Sequence, residues 1–273
     1  MRKFYLFIVA LTLASCNSPK VDNKRIVTVS IEPLRYFTEQ IAGGNFDVKT
    51  MVPNGGNPET YEPTAQQMMD LSMSDLYIKV GNIGFERTWM KKIEANAPHT
   101  IIIDSSEGIT SARSINGIAD PHTWMSCANA IIIARNIYHS LSKIDSKDST
   151  LFKNNLDNLI ERIGQINTKI QENLTKEKTA FLIYHPALTY YAQEYELTQI
   201  PIEENGREPS ASQLQAIIIS AKKKGVRTMF VQKEFANRNT EIVAKSVGAK
   251  LEEINPLSYK WDDEMIKVAK LLK

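Results

Sequence analysis

The sequence predicts an α/β protein with two βαβ-type lobes joined by a long, rigid helix. Three observations predict this fold class. Short β-rich runs alternate with helical patterns in the first half of the chain, and the same alternation restarts in the second half. Between the halves, a helical pattern without an internal Pro covers residues 149–174. Alternating strands and helices indicate βαβ units around mostly parallel sheets.

The first half contains four predicted strands and four predicted helices. The strands are rich in β-branched and aliphatic residues and end at turn-forming residues. They cover residues 26–31, 48–52, 76–80 and 100–104. The helices cover residues 33–42, 64–73, 88–96 and 127–141. We therefore expect an N-terminal lobe over residues 25–145.

The central segment predicts the connecting helix. Apolar residues recur there at three- and four-residue steps: Leu151, Leu156, Leu159, Ile163, Ile166 and Ile170. A helix of about 26 residues is about 39 Å long, which matches the width of a small domain. We assign the linking helix to residues 146–177 and expect it to limit hinge bending.

The second half predicts a C-terminal lobe over residues 178–273. Its strands are expected at residues 180–184, 199–202, 228–232 and 250–254. Its helices are expected at residues 187–195, 211–223, 240–247 and 262–272.

The N-terminus predicts export. A charged start precedes an apolar run over residues 4–13, too short to span a bilayer, which needs about 20 apolar residues. The Leu-Ala-Ser-Cys sequence ending at Cys16 looks like a bacterial lipobox. We therefore predict a signal peptide over residues 1–15, an acylated Cys16 and a polar tether over residues 16–24. These imply an exported protein, lipid-anchored at a bacterial membrane and facing the periplasm or cell exterior.

Charge and cysteine content exclude several classes of function. Without the signal peptide, 31 of the 33 basic residues remain, against 31 acidic residues. A balanced charge argues against binding to nucleic acid. Cys127 is then the only other cysteine, so neither a disulfide framework nor a cysteine-based zinc cluster is expected. We expect a monomer.

Three Pro-marked loops carry candidate metal ligands: Glu59, His122 and His185. Each loop precedes a predicted helix, and ligands bind beyond the carboxyl ends of strands in open α/β sheets. We expect the nearby helix N-termini to keep both imidazoles neutral and able to bind metal. The wide sequence spacing alone is weak evidence, but the loops together predict a metal site in the cleft between the lobes. Asp120 and Trp124 are candidates to support His122 from behind.

Longer motifs around these residues indicate a family. They are Asn57-Pro58-Glu59-Thr60-Tyr61-Glu62-Pro63, Asp120-Pro121-His122-Thr123-Trp124, His185-Pro186-Ala187 with Tyr190-Tyr191, Glu208-Pro209-Ser210-Ala211 and Asn255-Pro256-Leu257. In this order they resemble the cluster A-I solute-binding proteins, the zinc- and manganese-binding lipoproteins of ATP-binding-cassette (ABC) importers. The resemblance implies two α/β lobes, a rigid linking helix, one divalent ion between the lobes and an ABC permease as partner.

The resemblance also implies a ligand set. His122 and His185 match two family ligands, Glu59 stands where a histidine is usual, and Asn255 stands where an aspartate is usual. With neutral imidazoles and a neutral Asn255, a bound divalent ion keeps a net charge of +1. Two histidines and one carboxylate suit zinc, and they also suit manganese or iron at higher coordination. We expect zinc first. The absence of histidine from residues 105–119 weakens the case for zinc, since the zinc importers often carry a His-rich loop there.

Two other classes of function stay open beside a binding protein that delivers a metal ion to an importer. A site of two histidines and one glutamate with an open position is also the arrangement of a zinc hydrolase. Neither an HExxH nor a Gly-x-Ser-x-Gly motif is present, so we do not expect an enzyme. A protein that binds a metal chelate, such as a siderophore or corrinoid, would need a roomy cleft and no protein ligands.

Overall fold

The structure is a computed structural model that describes residues 24–112, 119–174, 179–203, 207–235 and 238–273. The predicted signal peptide over residues 1–15, the lipidation site Cys16 and all of the tether except residue 24 lie outside the described residues. Within the part of the chain that is described, every helix is too short or too polar to cross a bilayer.

The N-terminal lobe is built on a four-stranded parallel sheet. Its strands are β1 (Arg25–Val29), β2 (Phe46–Thr50), β3 (Leu76–Lys79) and β4 (Ile101–Asp104), in the order β2-β1-β3-β4. Its helices are α1 (Glu32–Ala42), α2 (Ala65–Ser72), α3 (Gly84–Asn96) and α4 (Cys127–Ile144). Helix α3 begins four residues before the predicted start. The prediction missed this first turn because it opens with Gly84, a residue of low helix propensity.

The linking helix α5 covers Ser149–Asn173, directly after a short 3-10 turn over Ser146–Asp148. Its buried face consists of Phe152, Leu156, Leu159, Ile163, Ile166 and Ile170. The apolar periodicity predicts this set except for Phe152, and it was wrong at Leu151, which is 41% exposed.

The C-terminal lobe repeats the architecture of the first. Its parallel strands are β5 (Ala180–Ile183), β6 (Thr198–Pro201), β7 (Thr228–Gln232) and β8 (Lys250–Ile254), in the order β6-β5-β7-β8. Its helices are α6 (Thr189–Glu194), α7 (Ala211–Lys223), α8 (Arg238–Val247) and α9 (Trp261–Leu271). The predicted fold class of two α/β lobes with a long linking helix is confirmed. The predicted domain bounds stay predictions.

The identical strand order places a switch point in each sheet. The strands are added to one side of β1 and then to the other, so the switch point lies between β1 and β3 in the first sheet and between β5 and β7 in the second. Crevices that bind ligands form outside the carboxyl ends of strands at such points. The loops after these strands are therefore where the fold itself favours a site.

Buried contacts hold the two lobes against each other. The indole of Trp124, in the loop before α4, donates to the carbonyl oxygen of Pro256 at 2.7 Å. The indole of Trp261, in α9, donates to the carbonyl oxygen of Trp124 at 2.8 Å, and both indoles are 1% exposed. The Glu194 carboxylate of α6 accepts from the backbone N–H groups of Cys127 and Ala128 at the start of α4, at 2.8 and 3.0 Å. Since α5 also packs against α1, α4 and α9, the lobes share one continuous core.

Candidate metal centre

His122 lies in the loop between β4 and α4 and is held by a local carboxylate. Its Nδ1 lies 2.8 Å from Oδ1 of Asp120, and its backbone N–H donates to the same oxygen at 2.9 Å. The ring of Trp124 lies against it, with centroids 5.3 Å apart. His122 is 6% exposed, so this turn buries the imidazole with one nitrogen already bound.

Burial and nearby carboxylates act on the pKa of His122 in opposite directions. Burial lowers the pKa of His122, but the carboxylates of Asp120, Glu59 and Glu203 outweigh burial and place its pKa above the ordinary value. Burial likewise acts to raise the pKa of Asp120, but His122 outweighs it and holds that pKa below its ordinary value. The expectation that a helix N-terminus keeps His122 neutral stays a prediction, and the shift of the His122 pKa runs in the opposite direction. Helix α4 begins only at Cys127, and the nearby carboxylates dominate.

His185 lies two residues after β5, at the switch point of the second sheet. Its Nδ1 lies 2.9 Å from Oε2 of Glu203, which follows β6. The Gln232 side-chain amide at the end of β7 donates to the His185 carbonyl at 2.9 Å, and the Phe235 ring stacks on the imidazole with centroids 5.6 Å apart. Helix α6 starts at Thr189, not directly after His185 as the sequence suggested.

The two imidazoles meet across the boundary between the lobes. Nε2 of His122 lies 3.2 Å from Nε2 of His185. A carboxylate can only accept a hydrogen bond, so each Nδ1 carries a proton and donates it. In the neutral rings both Nε2 atoms then present lone pairs to each other. Either a second proton on one ring or a cation between the rings is needed to make this contact favourable.

Glu59 belongs to the loop between β2 and α2 and rests on the start of α3. Its Oε2 lies 3.2 Å from a guanidinium nitrogen of Arg87. Its Oε1 is buried and has no hydrogen-bond partner among the described residues. A buried carboxylate oxygen without a partner is costly. The charge of Glu59 acts on His122, and an oxygen in this condition is a donor that a cation would satisfy.

The backbone of Glu59 packs tightly against Gly84 at the start of α3. A Cβ atom on Gly84 would lie 2.3 Å from the carbonyl oxygen of Glu59, so only glycine allows this approach. The buried carboxylate of Glu86 accepts from the backbone N–H groups of Val80 and Gly81, both at 2.8 Å, and from the Ser30 hydroxyl. Burial raises the pKa of Glu86. These bonds hold the turn between β3 and α3 in place against the Glu59 loop.

Asn255 is placed differently from the other three predicted ligands. It is exposed, and its Oδ1 accepts from the backbone N–H of Leu257 at 3.1 Å, which forms an Asx turn. Its backbone N–H donates to Glu264 at 2.7 Å. The Asn255 oxygen is thus already engaged in shaping its own loop.

The residues that the structure describes hold no ready-made cluster of three or more His, Cys, Asp or Glu side chains. The described candidate site consists of the imidazole pair, Oε1 of Glu59, and the carboxylates of Asp120 and Glu203 at the Nδ1 atoms. Sequence analysis missed Glu203. The available signal was its position directly after the predicted strand 199–202, which a parallel sheet places beside the strand that leads to His185.

Comparison with known proteins shows the family of the chain. Residues 27–267 match the family described as "ZnuA: Zinc-uptake complex component A periplasmic". The chain is 26% identical to the high-affinity zinc uptake system protein ZnuA of Bacillus subtilis (strain 168), over 92% of this chain and 88% of that protein. It is also 26% identical to the manganese ABC transporter substrate-binding lipoprotein PsaA of Streptococcus mitis, over 89% of this chain and 84% of that protein.

A solved structure is similar over nearly the whole described chain. The crystal structure of a ZnuA superposes with a TM-score of 0.86 at 33% sequence identity, and it covers 91% of this chain and 97% of that one.

Proposed function

Because this chain belongs to the ZnuA family of zinc-uptake complex components, we propose that it captures one divalent transition-metal ion outside the cytoplasm and delivers it to an ABC importer. The ion is the cargo, and the chain's task is to bind it selectively and reversibly. Its partner is an ABC permease, and an acyl group on Cys16 would keep the protein at the membrane beside that permease.

The contact between the imidazoles is the observation that carries this proposal. Zn–N bonds of about 2.0–2.1 Å in a tetrahedral site place two ligand nitrogens about 3.3 Å apart. The two Nε2 atoms are 3.2 Å apart. Each ring is also oriented by a carboxylate at Nδ1, as in the carboxylate–histidine–zinc arrangement of many zinc sites. The pair is thus preorganised for one small cation.

Glu59 is the proposed third ligand. Its Oε1, which has no partner among the described residues, supplies an oxygen donor, and the carboxylate would have to move away from Arg87 to reach the ion. Asn255 remains the predicted fourth ligand and has the least support, because its Oδ1 already accepts from Leu257. A water molecule can complete a site with three protein ligands.

The narrow contact favours a bare ion over the two other classes. Two Nε2 atoms 3.2 Å apart can both bind one ion that lies to the side of the line joining them, whereas a metal chelate needs a wide cleft. A zinc hydrolase also needs a general base beside the metal-bound water. Asp120 and Glu203, the carboxylates behind the rings, already accept from imidazole nitrogens.

Zinc is the proposed cargo, with manganese and iron as alternatives. Two imidazole donors suit zinc well, while the oxygen of Glu59 and any bound water also serve manganese and iron. The donor set is therefore mixed, and a direct competition is needed to rank the metals.

Metal titration of single-histidine variants tests the proposal. We expect His122→Ala and His185→Ala each to weaken zinc binding at least 100-fold, measured by competition with a chromophoric chelator. His99→Ala and His139→Ala are matched controls, because both residues are exposed, and we expect them to bind as the parent does. Parental affinity in both His122→Ala and His185→Ala would refute the site. Elemental analysis of protein purified without added metal, followed by zinc–manganese competition, identifies the cargo.

A further inference from the structure

We propose that Glu203 is the positioning residue that makes His185 a metal ligand, by holding its Nδ1–H and leaving Nε2 free for the ion. This inference rests on the proposed function, since it assigns a role in the same site. It concerns a residue that neither the sequence motifs nor the Pro-marked loops single out.

The geometry of Glu203 fits this role. Its Oε2 lies 2.9 Å from Nδ1 of His185, and its side chain is only 6% exposed. A buried carboxylate that accepts from one imidazole nitrogen determines which nitrogen carries the proton and which presents a lone pair. With Nδ1 committed to Glu203, the remaining nitrogen of His185 is the one that faces His122.

The other contacts of His185 cannot replace Glu203. Gln232 binds the backbone carbonyl of His185, and Phe235 stacks on the flat face of the ring. These contacts fix the position and the plane of the imidazole. Neither distinguishes Nδ1 from Nε2, so the choice of tautomer depends on the carboxylate.

Glu203 also supplies charge on the C-terminal side of the site. The predicted ligands of this lobe are His185 and Asn255, which are both uncharged donors. The buried carboxylate behind His185 offsets part of the charge of a divalent ion. The strand pairing of β5 with β6 brings this carboxylate to the site from another loop.

Two substitutions and two readouts test the inference on the full chain. We expect Glu203→Ala to weaken zinc binding about 10–100-fold, the effect typical of losing such a partner. We expect Glu203→Gln to lose less, because its amide oxygen can still accept from Nδ1 without a charge. Nitrogen NMR of the imidazoles, recorded before zinc is added, should show a proton on Nδ1 of His185 in the parent and a mixture of tautomers in Glu203→Ala. Glu208→Ala is the control, since this exposed carboxylate accepts from Tyr184 and should change affinity less than twofold.

The outcomes separate this inference from the proposed function. Parental affinity in Glu203→Ala, while His185→Ala loses zinc, would overturn the role of Glu203 and leave the site standing. An unchanged His185 tautomer in a weakened Glu203→Ala variant would also overturn it, because the effect would then not act through the ring. If Glu203→Ala does not fold, Glu203→Leu decides, because leucine fills similar space without an acceptor for Nδ1–H, and parental affinity there counts against the role. Parental affinity in His185→Ala would instead refute the function on which the inference rests.

Discussion

The two imidazoles of the candidate metal centre have the same hydrogen-bonding pattern but obtain it in different ways. His122 binds Asp120, two residues earlier in the same turn, at 2.8 Å. His185 binds Glu203, 18 residues later in another loop, at 2.9 Å. The first pairing is local in the chain, and the second exists only because β5 and β6 lie side by side.

This difference shows how the halves of the site depend on the fold. The N-terminal half needs a turn of a few residues and the close packing of Glu59 against Gly84. The C-terminal half needs a correctly paired sheet before His185 acquires its partner. The two Nε2 atoms come together because the lobes are held against each other, in part by the buried bonds of Trp124 and Trp261.

The largest expected effect comes from removing both carboxylates that hold the imidazoles, Asp120 and Glu203. It tests whether the two halves of the site contribute equally to zinc binding. We expect Asp120→Ala to weaken zinc binding about 10–100-fold, as we expect for Glu203→Ala. The double variant should lose more than either single variant but less than their product, because one disordered ring already spoils the shared site. Chelator competition on the four proteins measures this. Strict additivity would mean that the two rings contribute to binding independently.

A substitution at Gly84 tests how far the N-terminal half of the site depends on the close packing of Glu59 against α3. Gly84→Ala would place a methyl group 2.3 Å from the carbonyl of Glu59 and displace that loop. We expect a loss of about 1–3 kcal/mol in the free energy of unfolding and weaker zinc binding. Gly164→Ala in α5 is the control, since its Cβ meets nothing within 4 Å. It should raise stability by about 0.5–1 kcal/mol without changing affinity. Denaturant unfolding gives both free energies. A Gly84→Ala variant with parental stability would contradict the close packing of Gly84 against Glu59.

The two tryptophans test what holds the halves together. Trp124→Phe and Trp261→Phe each leave a buried carbonyl oxygen without its donor. We expect each to lower the free energy of unfolding by about 1–3 kcal/mol. Only Trp124→Phe should also alter zinc affinity, because Trp124 alone of the two packs on His122. Equal affinity changes in both variants would instead indicate that the relative position of the lobes controls the site.

The smallest expected change is in overall shape. The lobes share a continuous core and a helix of 25 residues, so ion capture should order local loops around Glu59 with little rotation of one lobe against the other. Small-angle scattering before and after zinc addition should give nearly the same radius of gyration. A clear compaction would show that the two halves are brought together by the ion.

Much of the fold follows from the sequence alone. Apolar periodicity identified α5 and most of its buried face, because a helix packed along one side repeats its contacts every three to four residues. The strands of both sheets were also found, with errors of one or two residues at most ends. Helix starts were harder to place at Gly84 and Thr189, where the residues give weak local signals.

Within the site, the sequence by itself determined the local features. The Pro-marked turns and the contact of Asp120 with His122 depend on residues within a few positions of each other. The tertiary structure alone decided the approach of the two Nε2 atoms, the role of Glu203 and the unpartnered oxygen of Glu59. The reason is physical, since these features join residues from separate loops. Their distances depend on strand order and on how the lobes pack, which no short stretch of sequence encodes.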